Sequence, residues 1–250
     1  MGDLLYGIHP LHEALVAGRR AFKRLYVSKS RRMKGVETLF ELAQGAGVPV
    51  QYKAQDYFQS RLGDSVHQGV AAEVSELPLA DEKAILKKAE TDSELPLILG
   101  LDGIVDPQNL GSLVRTALAM GVHGVILSKT RAAPLSATVS KASAGAMEHM
   151  LFARVSNLVA ALQRLKKAGL WVVGCHAGSQ QPADEVDLNM GLVLVIGGEA
   201  KGVRPLVRKT CDHLVCVPQK TGIDSLNAAV AGAMVMYEVT RQRRKKRSVS

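Results

Sequence analysis

Three polar segments of this chain, each bearing glycine or proline, carry the side chains best suited to chemistry. They are residues 106–111 (DPQNLG), 197–202 (GGEAKG) and 216–227 (CVPQKTGIDSLN). The candidate side chains are Asn109, Glu199, Ser225 and Asn227 within them and Arg115 on the helix that follows the first. Amide, carboxylate, hydroxyl and guanidinium groups can orient a substrate hydroxyl and assist the loss of its proton. No histidine accompanies Ser225 in the pattern of a serine-hydrolase triad, so positioning and proton handling are favoured over covalent catalysis.

Each candidate also has a purely structural interpretation. Arg115 is the only formally charged residue between Asp106 and Lys129, and an internal salt bridge explains it as well as catalysis does. Glu199 is compatible with a tight turn and an acidic helix cap. Ser225 and Asn227 stand just before an apolar segment, where capping is the commonest explanation.

Neither common nucleotide-binding fingerprint is present. Residues 197–202 have the glycine spacing of a Walker loop, but Val203 and Arg204 follow where Lys and Ser or Thr are required. No GxGxxG opens a helix after the first strand of the larger part, which disfavours a Rossmann-type dehydrogenase.

The segments with candidate residues follow short apolar runs that are typical of buried parallel strands. The predicted strands are residues 97–101, 124–127, 170–174, 192–196 and 214–217. Helices are predicted over 110–120, 156–168 and 228–239, the last of which is apolar on every side except at Glu238. The pattern predicts an α/β fold with a mostly parallel sheet, in which ligands bind beyond the carboxyl ends of the strands.

A smaller α/β unit is predicted over residues 1–74. Its elements are helices at 9–16 and 36–46 and strands at 24–28, 49–52 and 69–74. Residues 75–95 are charged and poor in large apolar groups, so they are interpreted as a linker with a helical turn or two. The catalytic part is expected over 96–241, followed by a basic tail over 242–250.

Two basic segments dominate the net charge of +9. Residues 19–34 contribute +8 and residues 241–247 contribute +6, which leaves −5 for the other 227 residues. Basic segments of this kind favour a polyanion, most simply nucleic acid. For 241–247 a solvated tail is the simpler interpretation, whereas apolar residues interleaved in 19–34 place that segment in a fold.

Composition excludes several other classes of protein. No apolar run is long enough to span a bilayer, and the first ten residues lack the pattern of a signal peptide. Three cysteines without a CxxC pair predict a reducing cytoplasm rather than a disulfide framework. The seven histidines lack the spacing of a zinc site, so no metal is expected.

Taken in order, the three segments resemble the motifs of the SpoU (TrmH-like) class of SPOUT RNA 2′-O-ribose methyltransferases. The matching residues are 106–117 (DPQNLGSLVRTA), 194–202 (LVIGGEAKG) and 217–227. Residues 6–14 (YGIHPLHEA) and 67–70 (HQGV) are similar to the accessory domain of that family. Residues 141–148 (KASAGAME) resemble the bacterial members that methylate a guanosine ribose in 23S ribosomal RNA.

The resemblance implies a fold, a cofactor and partners. It implies a trefoil knot, S-adenosylmethionine as cofactor, a homodimer and an RNA rather than a DNA or membrane partner. The cofactor would lie against Ile196, Gly197, Gly202, Val217 and Leu226. The active site would comprise Asn109, Arg115, Glu199, Ser225 and Asn227, with an electrostatic role for Arg115. The smaller unit would hold RNA through the basic side chains Arg19, Arg20, Lys23, Arg24, Arg31 and Arg32.

Two alternatives stay open at this stage. One is a transfer-RNA 2′-O-methyltransferase of the same family. The other is a non-catalytic RNA-binding or ribosome-assembly protein, which would explain the basic segments but not the three polar ones.

Overall fold

A computed structural model describes residues 2–30, 36–199, 201–220 and 225–247. The chain folds into two compact units, one made of Met1–Pro78 with Pro134–His149 and the other of Leu79–Ala133 with Met150–Ser250. Strands and helices are labelled below in chain order. No helix among the described ranges is both long enough and apolar enough to cross a membrane.

The first unit is built on a four-stranded sheet of order β1-β4-β2-β3. Its strands are β1 (Asp3–Tyr6), β2 (Phe22–Ser28), β3 (Val50–Lys53) and β4 (Val70–Val74), and its helices are α1 (Ile8–Ala17), α2 (Glu37–Gly45), α3 (Gln55–Leu62) and α6 (Ala137–Ala142). The β2–β3 pair is parallel, and β4 runs antiparallel to both β1 and β2. Helix α1 ends at Gly18, whose φ of 61° is in the left-handed region that glycine tolerates best.

The five elements predicted for residues 1–74 are confirmed, but β1 and α3 were not predicted. Helix α3 reads QDYFQSRL and buries only Phe58, so it lacks the repeated apolar positions that indicate a helix. Strand β1 is four residues long, too short for an alternating pattern to stand out.

The second unit contains a six-stranded sheet whose pairings are all parallel, in the order β10-β8-β9-β5-β6-β7. The strands are β5 (Leu97–Asp102), β6 (Gly124–Ser128), β7 (Phe152–Val155), β8 (Trp171–Cys175), β9 (Leu192–Gly197) and β10 (His213–Val215). Every residue of β5, β6 and β9 is buried, as expected of central strands covered on both faces. The predicted parallel α/β fold is confirmed, and β7 is an additional edge strand.

Within the described residues, the α-helices of this second unit are α4 (Glu82–Thr91), α5 (Pro107–Ala119), α7 (Leu158–Lys167), α8 (Pro205–Thr210) and α9 (Ala228–Arg247). Helix α9 packs against α5 and β9, and Gly232 permits this close approach. A Cβ atom at Gly232 would lie 2.6 Å from Leu113 Cδ2. A larger residue at this position would force the Leu113 side chain to move, so the small residue favours close packing of α9.

The segment interpreted as a linker is largely a folded part of the second unit. Asp81 caps α4 by accepting a hydrogen bond from the Ala84 amide at 2.8 Å, and Ile85 and Ala89 are fully buried. Ile85 packs into the core of the six-stranded sheet unit. Two buried apolar side chains on one face suffice for a helix here, although the segment is mostly charged.

Helix α9 continues well beyond residue 239, where the apolar pattern ends. Gln242 donates to the Val186 carbonyl at 3.0 Å and accepts from the Leu188 amide at 2.7 Å. Arg243 donates to the carbonyl oxygens of Leu95, Pro96 and Met190 at 2.7–2.9 Å. The beginning of the predicted tail is thus helical and anchored. The trefoil knot stays a prediction, because strand order and register do not trace how the chain threads.

Candidate active site

The three polar segments meet at the carboxyl edge of the six-stranded sheet, as the parallel order requires. They follow β5, β9 and β10, and the segments after β5 and β9 pack closely together. A Cβ atom at Gly197 would lie 2.0 Å from the Gly202 carbonyl carbon, and one at Gly198 would lie 2.2 Å from the Gly103 oxygen. Glycine is therefore the only residue that fits these positions without moving the backbone.

A hydrogen-bonded cluster joins one residue from each segment. Glu199 Oε1 accepts from Asn109 Nδ2 at 2.9 Å and from Asn227 Nδ2 at 2.6 Å. Asn227 Nδ2 also donates to Asn109 Oδ1 at 2.9 Å. This Asn109–Glu199–Asn227 cluster fixes the orientation of the carboxylate through its Oε1 atom.

The helix cap considered for Asn227 in the sequence is present, and Asp106 provides a second cap that was not considered there. Asn227 Oδ1 accepts from the Ala229 amide at 2.9 Å and from the Val230 amide at 3.2 Å, so it caps α9 while its amide group joins the cluster. Asp106 Oδ2 accepts from the Asn109 amide at 2.8 Å and caps α5. Capping and active-site assembly are therefore not alternatives at Asn227, because one side chain does both.

An inner cavity of about 240 Å³ lies beside this cluster, at the ends of β8, β9 and β10. The five residues expected to hold a cofactor all line it: Ile196, Gly197, Gly202, Val217 and Leu226. Glu199 and Ser225 line it as well. Apolar walls from three strand ends and a glycine backbone without room for side chains suit a ligand with a flat apolar base, and Glu199 and Lys201 add one charged group of each sign.

Cys175 and His176 are among the residues of the inner cavity that were not predicted. Cys175 is the last residue of β8 and His176 follows it, so both lie at the same edge of the sheet as the three segments. That position after a predicted strand is the signal that could have identified them. The His176 ring lies 2.9 Å from Arg208 Nη1. Burial raises the pKa of the Cys175 thiol to about 11, so it stays protonated at neutral pH.

A middle cavity of about 470 Å³ adjoins the inner one across Glu199. Its walls include Asp106, Asn109, Arg131 and Arg204. Arg204 is held by the buried carboxylate of Asp102, which accepts from Arg204 Nε at 2.6 Å and from the Arg204 amide at 2.8 Å. Glu199 therefore lies on the wall that the two cavities share, and a group in either one can reach it.

Arg115 is exposed on α5 and does not join the cluster. Among the described residues, no hydrogen bond or ion pair of its guanidinium group is found, so the internal salt bridge considered above is not formed. Six residues separate Arg115 from Asn109, which places it about 9 Å further along the helix and on another face. Leu118, one turn later, is also exposed.

The basic side chains predicted to bind RNA divide into different environments. The Arg20 side chain is 0% exposed, and it donates from Nε to Glu148 Oε2 at 2.7 Å and from Nη1 to Asp3 Oδ2 at 2.7 Å. The prediction that Arg20 contacts RNA is therefore wrong, because its guanidinium group is sealed in an internal ion pair. Arg19 is half-buried and donates to the carbonyl oxygens of Pro78 and Glu148, both at 3.1 Å.

Lys23 and Arg24 keep more contact with solvent. The Lys23 side chain is 77% exposed, with Glu73 3.8 Å away, and Arg24 is half-buried on the same strand. Arg31 and Arg32 lie outside the described residues. Of the predicted RNA contacts that the structure describes, Lys23 is the most accessible.

Comparison with known proteins agrees with this geometry. The family described as SpoU rRNA Methylase matches residues 96–237, and the RNA 2′-O ribose methyltransferase substrate binding domain matches residues 4–80. The chain is 40% identical over 241 residues to YacO of Bacillus subtilis, of the TrmH family of tRNA/rRNA methyltransferases, covering 96% of each protein. It is 38% identical to the 23S rRNA (guanosine-2′-O-)-methyltransferase RlmB of Pseudomonas aeruginosa, covering 96% of this chain and 97% of that one.

A solved structure shows the same fold with a cofactor. The SpoU methyltransferase AviRb from Streptomyces viridochromogenes, in complex with AdoMet, matches with a TM-score of 0.82 and 25% identity, over 98% of this chain and 91% of that one. The chain belongs to the SpoU rRNA methylase family. It is an RNA 2′-O-methyltransferase that uses S-adenosylmethionine.

Proposed function

We propose that this protein methylates the ribose 2′-hydroxyl of a guanosine in 23S ribosomal RNA. The observation that carries the chemistry is the Asn109–Glu199–Asn227 cluster on the wall between the inner and middle cavities. The choice of RNA rests on two relatives named as 23S rRNA guanosine 2′-O-methyltransferases, each 38% identical over at least 96% of this chain. Three free cysteines accord with the cytoplasmic location that such a substrate requires.

In this proposal S-adenosylmethionine binds in the inner cavity and the target ribose enters from the middle cavity. Bound there, the cofactor would supply an electrophilic methyl group to the ribose oxygen and would be left as the neutral thioether, while the hydroxyl proton would pass to solvent water. Glu199 Oε2 accepts a hydrogen bond from the ribose, while Asn109 and Asn227 keep the carboxylate in place through Oε1. Ser225 also lines the inner cavity, so its hydroxyl group is placed to donate a hydrogen bond to the ligand bound there.

A homodimer is the second part of the proposal. Helix α9 exposes Val230, Met234 and Tyr237 at spacings of four and three residues, which form one stripe on its surface. Helix α5, which packs against α9, exposes Leu118. An apolar stripe of this kind is typical of a surface that a second copy covers.

The exposed position of Arg115 indicates how the dimer would complete the active site. Arg115 lies one turn before Leu118, so both residues face the proposed interface. Since Arg115 does not reach the cluster of its own chain, we infer that it serves the site of the partner subunit. There its guanidinium group stabilises the negative charge that develops on the 2′-oxygen or holds the adjacent phosphate.

Mixed dimers test this arrangement. Arg115→Ala and Glu199→Ala are each expected to be inactive, but their 1:1 co-assembly should recover about a quarter of wild-type activity, since half of the dimers then have one intact site out of two. Restoration is impossible if both residues act within one chain. Mixed dimers as inactive as the parent variants would refute the shared site.

The first unit is proposed to hold the RNA, chiefly through Lys23 and Arg24. Lys23→Ala should weaken RNA binding at low salt and reduce the slope of log affinity against log salt by about 1. Lys83→Ala, at an exposed position on α4 of the second unit, is the control of equal charge. Equal effects of the two variants would count against a specific role for Lys23.

The target nucleotide is tested by mapping ribose methylation in RNA from a strain that lacks the gene. The expected result is the loss of one 2′-O-methylguanosine in 23S ribosomal RNA and its return on complementation. Loss of a transfer-RNA modification instead would support the other substrate class of the family.

A further inference from the structure

An outer cavity of about 520 Å³ opens at the carboxyl ends of β6 and β7, and the methyl transfer described above does not use it. Its apolar wall comprises Leu158, Val159, Pro205 and Leu206, and Lys201 and Arg204 form the side nearest the middle cavity. Leu206 is 70% exposed, which is unusual for a leucine next to a concave surface. The cavity therefore offers both an apolar contact surface and positive charge.

A buried hydroxyl also points to a ligand at this cavity. Ser128, the last residue of β6, lines the cavity and is 5% exposed, and its Oγ has no hydrogen-bond partner within the described part of the chain. Buried hydroxyl groups are normally satisfied, so an unpaired one at a cavity wall is expected to bond to what enters. The first turn of α7 lies at the same cavity, where the Asn157 side chain caps the helix by accepting a hydrogen bond from the Ala160 amide at 3.1 Å.

The outer cavity continues a row that begins at the cofactor. Along the sheet the inner cavity lies at β8 and β9, the middle cavity at β9 and β5, and the outer cavity at β6 and β7. Since neighbouring strands are about 4.8 Å apart, the outer cavity lies about 10–14 Å from β9. Arg204 lines both the middle and the outer cavities and is fixed there by Asp102.

We propose that the outer cavity binds the nucleotide next to the methylated one. Its base packs against Leu206 and Pro205 and bonds to Ser128, and the phosphate that links it to the target nucleotide lies between Lys201 and Arg204. Recognition of a flanking base in this way adds sequence selectivity to a site that otherwise reads a ribose. The inference rests on the RNA methyl transfer proposed above.

This contact can be tested with a double-mutant cycle, in which one change is made in the protein and the other in the RNA. The probe is a synthetic RNA that carries the mapped guanosine, prepared intact and with an abasic residue on its 5′ or its 3′ side. Loss of one of these two bases should weaken RNA binding to the wild type about tenfold or more. Leu206→Asp should weaken binding of intact RNA to a similar extent. This variant should then bind the intact RNA and that abasic RNA with equal affinity.

Two further variants separate recognition from folding. Leu95→Asp changes another exposed leucine, next to the amino end of β5 at the opposite edge of the sheet, and should bind both RNAs as the wild type does. Ser128→Ala should leave the melting temperature unchanged or higher, because its hydroxyl is unpaired, but should raise the KM for RNA severalfold.

The outcomes distinguish this inference from the proposed function. If the wild type methylates the guanosine but tolerates both abasic residues, or if the effects of Leu206→Asp and the abasic residue multiply independently, the outer cavity does not bind a neighbouring base. If the wild type does not methylate this RNA at all, the proposed target itself is refuted, together with the contact that depends on it.

Discussion

Substitution of Glu199 provides the sharpest test of the active site, because one oxygen of its carboxylate accepts a hydrogen bond from the side-chain amide of each asparagine in the cluster. Glu199→Ala removes hydrogen bonds of 2.9 Å from Asn109 and 2.6 Å from Asn227. A hydrogen bond to a charged group contributes about 1.5–3 kcal/mol, and partial exposure of this cluster favours the lower value. The effect on rate comes instead from the ribose hydroxyl that this oriented carboxylate would contact, and loss of such a positioned group costs about 100-fold, or roughly 3 kcal/mol in the transition state.

The assay is single-turnover methylation with labelled S-adenosylmethionine, combined with calorimetric titration of the cofactor. Glu199→Gln is the matched control, since its amide oxygen can still accept from both asparagines, and it should lose only about tenfold. Because Glu199 is exposed, neither variant should change the melting temperature by more than a few degrees. A rate for Glu199→Ala within threefold of the wild type, with normal cofactor binding, would refute the role of the cluster.

Three other predictions follow from buried groups. Glu148→Ala should lower the melting temperature by ~6–20 °C, because it strips Arg20 of its buried partner at a cost of about 3–5 kcal/mol, and calorimetry showing a fall below 2 °C would contradict this. Burial lowers the pKa of His123, so its stabilising contribution is present above pH ~6.5 and is lost as the pH falls toward the lower folded pKa. In denaturant titrations, the free energy of unfolding of His123→Gln should therefore fall less steeply below pH 6.5 than that of the wild type. Parallel plots of this free energy against pH for the two proteins would contradict the prediction. Burial also raises the pKa of Cys175 to about 11, so iodoacetamide should modify it more slowly than a free cysteine at pH 8, as followed by mass spectrometry, and faster labelling would disagree.

Local patterns were sufficient to predict the parallel sheet and the meeting of the three polar segments. Central strands such as β5 and β9 are continuous apolar runs bounded by turn residues, so they are visible without any partner. Strand β7 reads FARV, is only half-buried at its end and lies at the sheet edge, which explains why it was not predicted.

Partners distant in sequence could not be predicted from the chain. The ion pair between Arg20 and Glu148 joins residues 128 positions apart, so nothing near Arg20 indicates that it is buried. The same limit applies to α4, whose burial depends on how Ile85 packs against the larger sheet. Arg115 was mispredicted in the opposite direction. Its position on an apolar helix suggested an internal ion pair, whereas the described structure shows its side chain exposed.

The proposed transfer of a methyl group from S-adenosylmethionine to a guanosine 2′-hydroxyl of 23S ribosomal RNA can be measured with the purified protein. It is incubated with labelled cofactor and unmodified 23S ribosomal RNA, and the nucleosides are then analysed by nuclease digestion and mass spectrometry. The proposal predicts stoichiometric 2′-O-methylguanosine at one position, and its disappearance with Glu199→Ala. Label on a base, on another nucleoside or on transfer RNA but not 23S ribosomal RNA would contradict it.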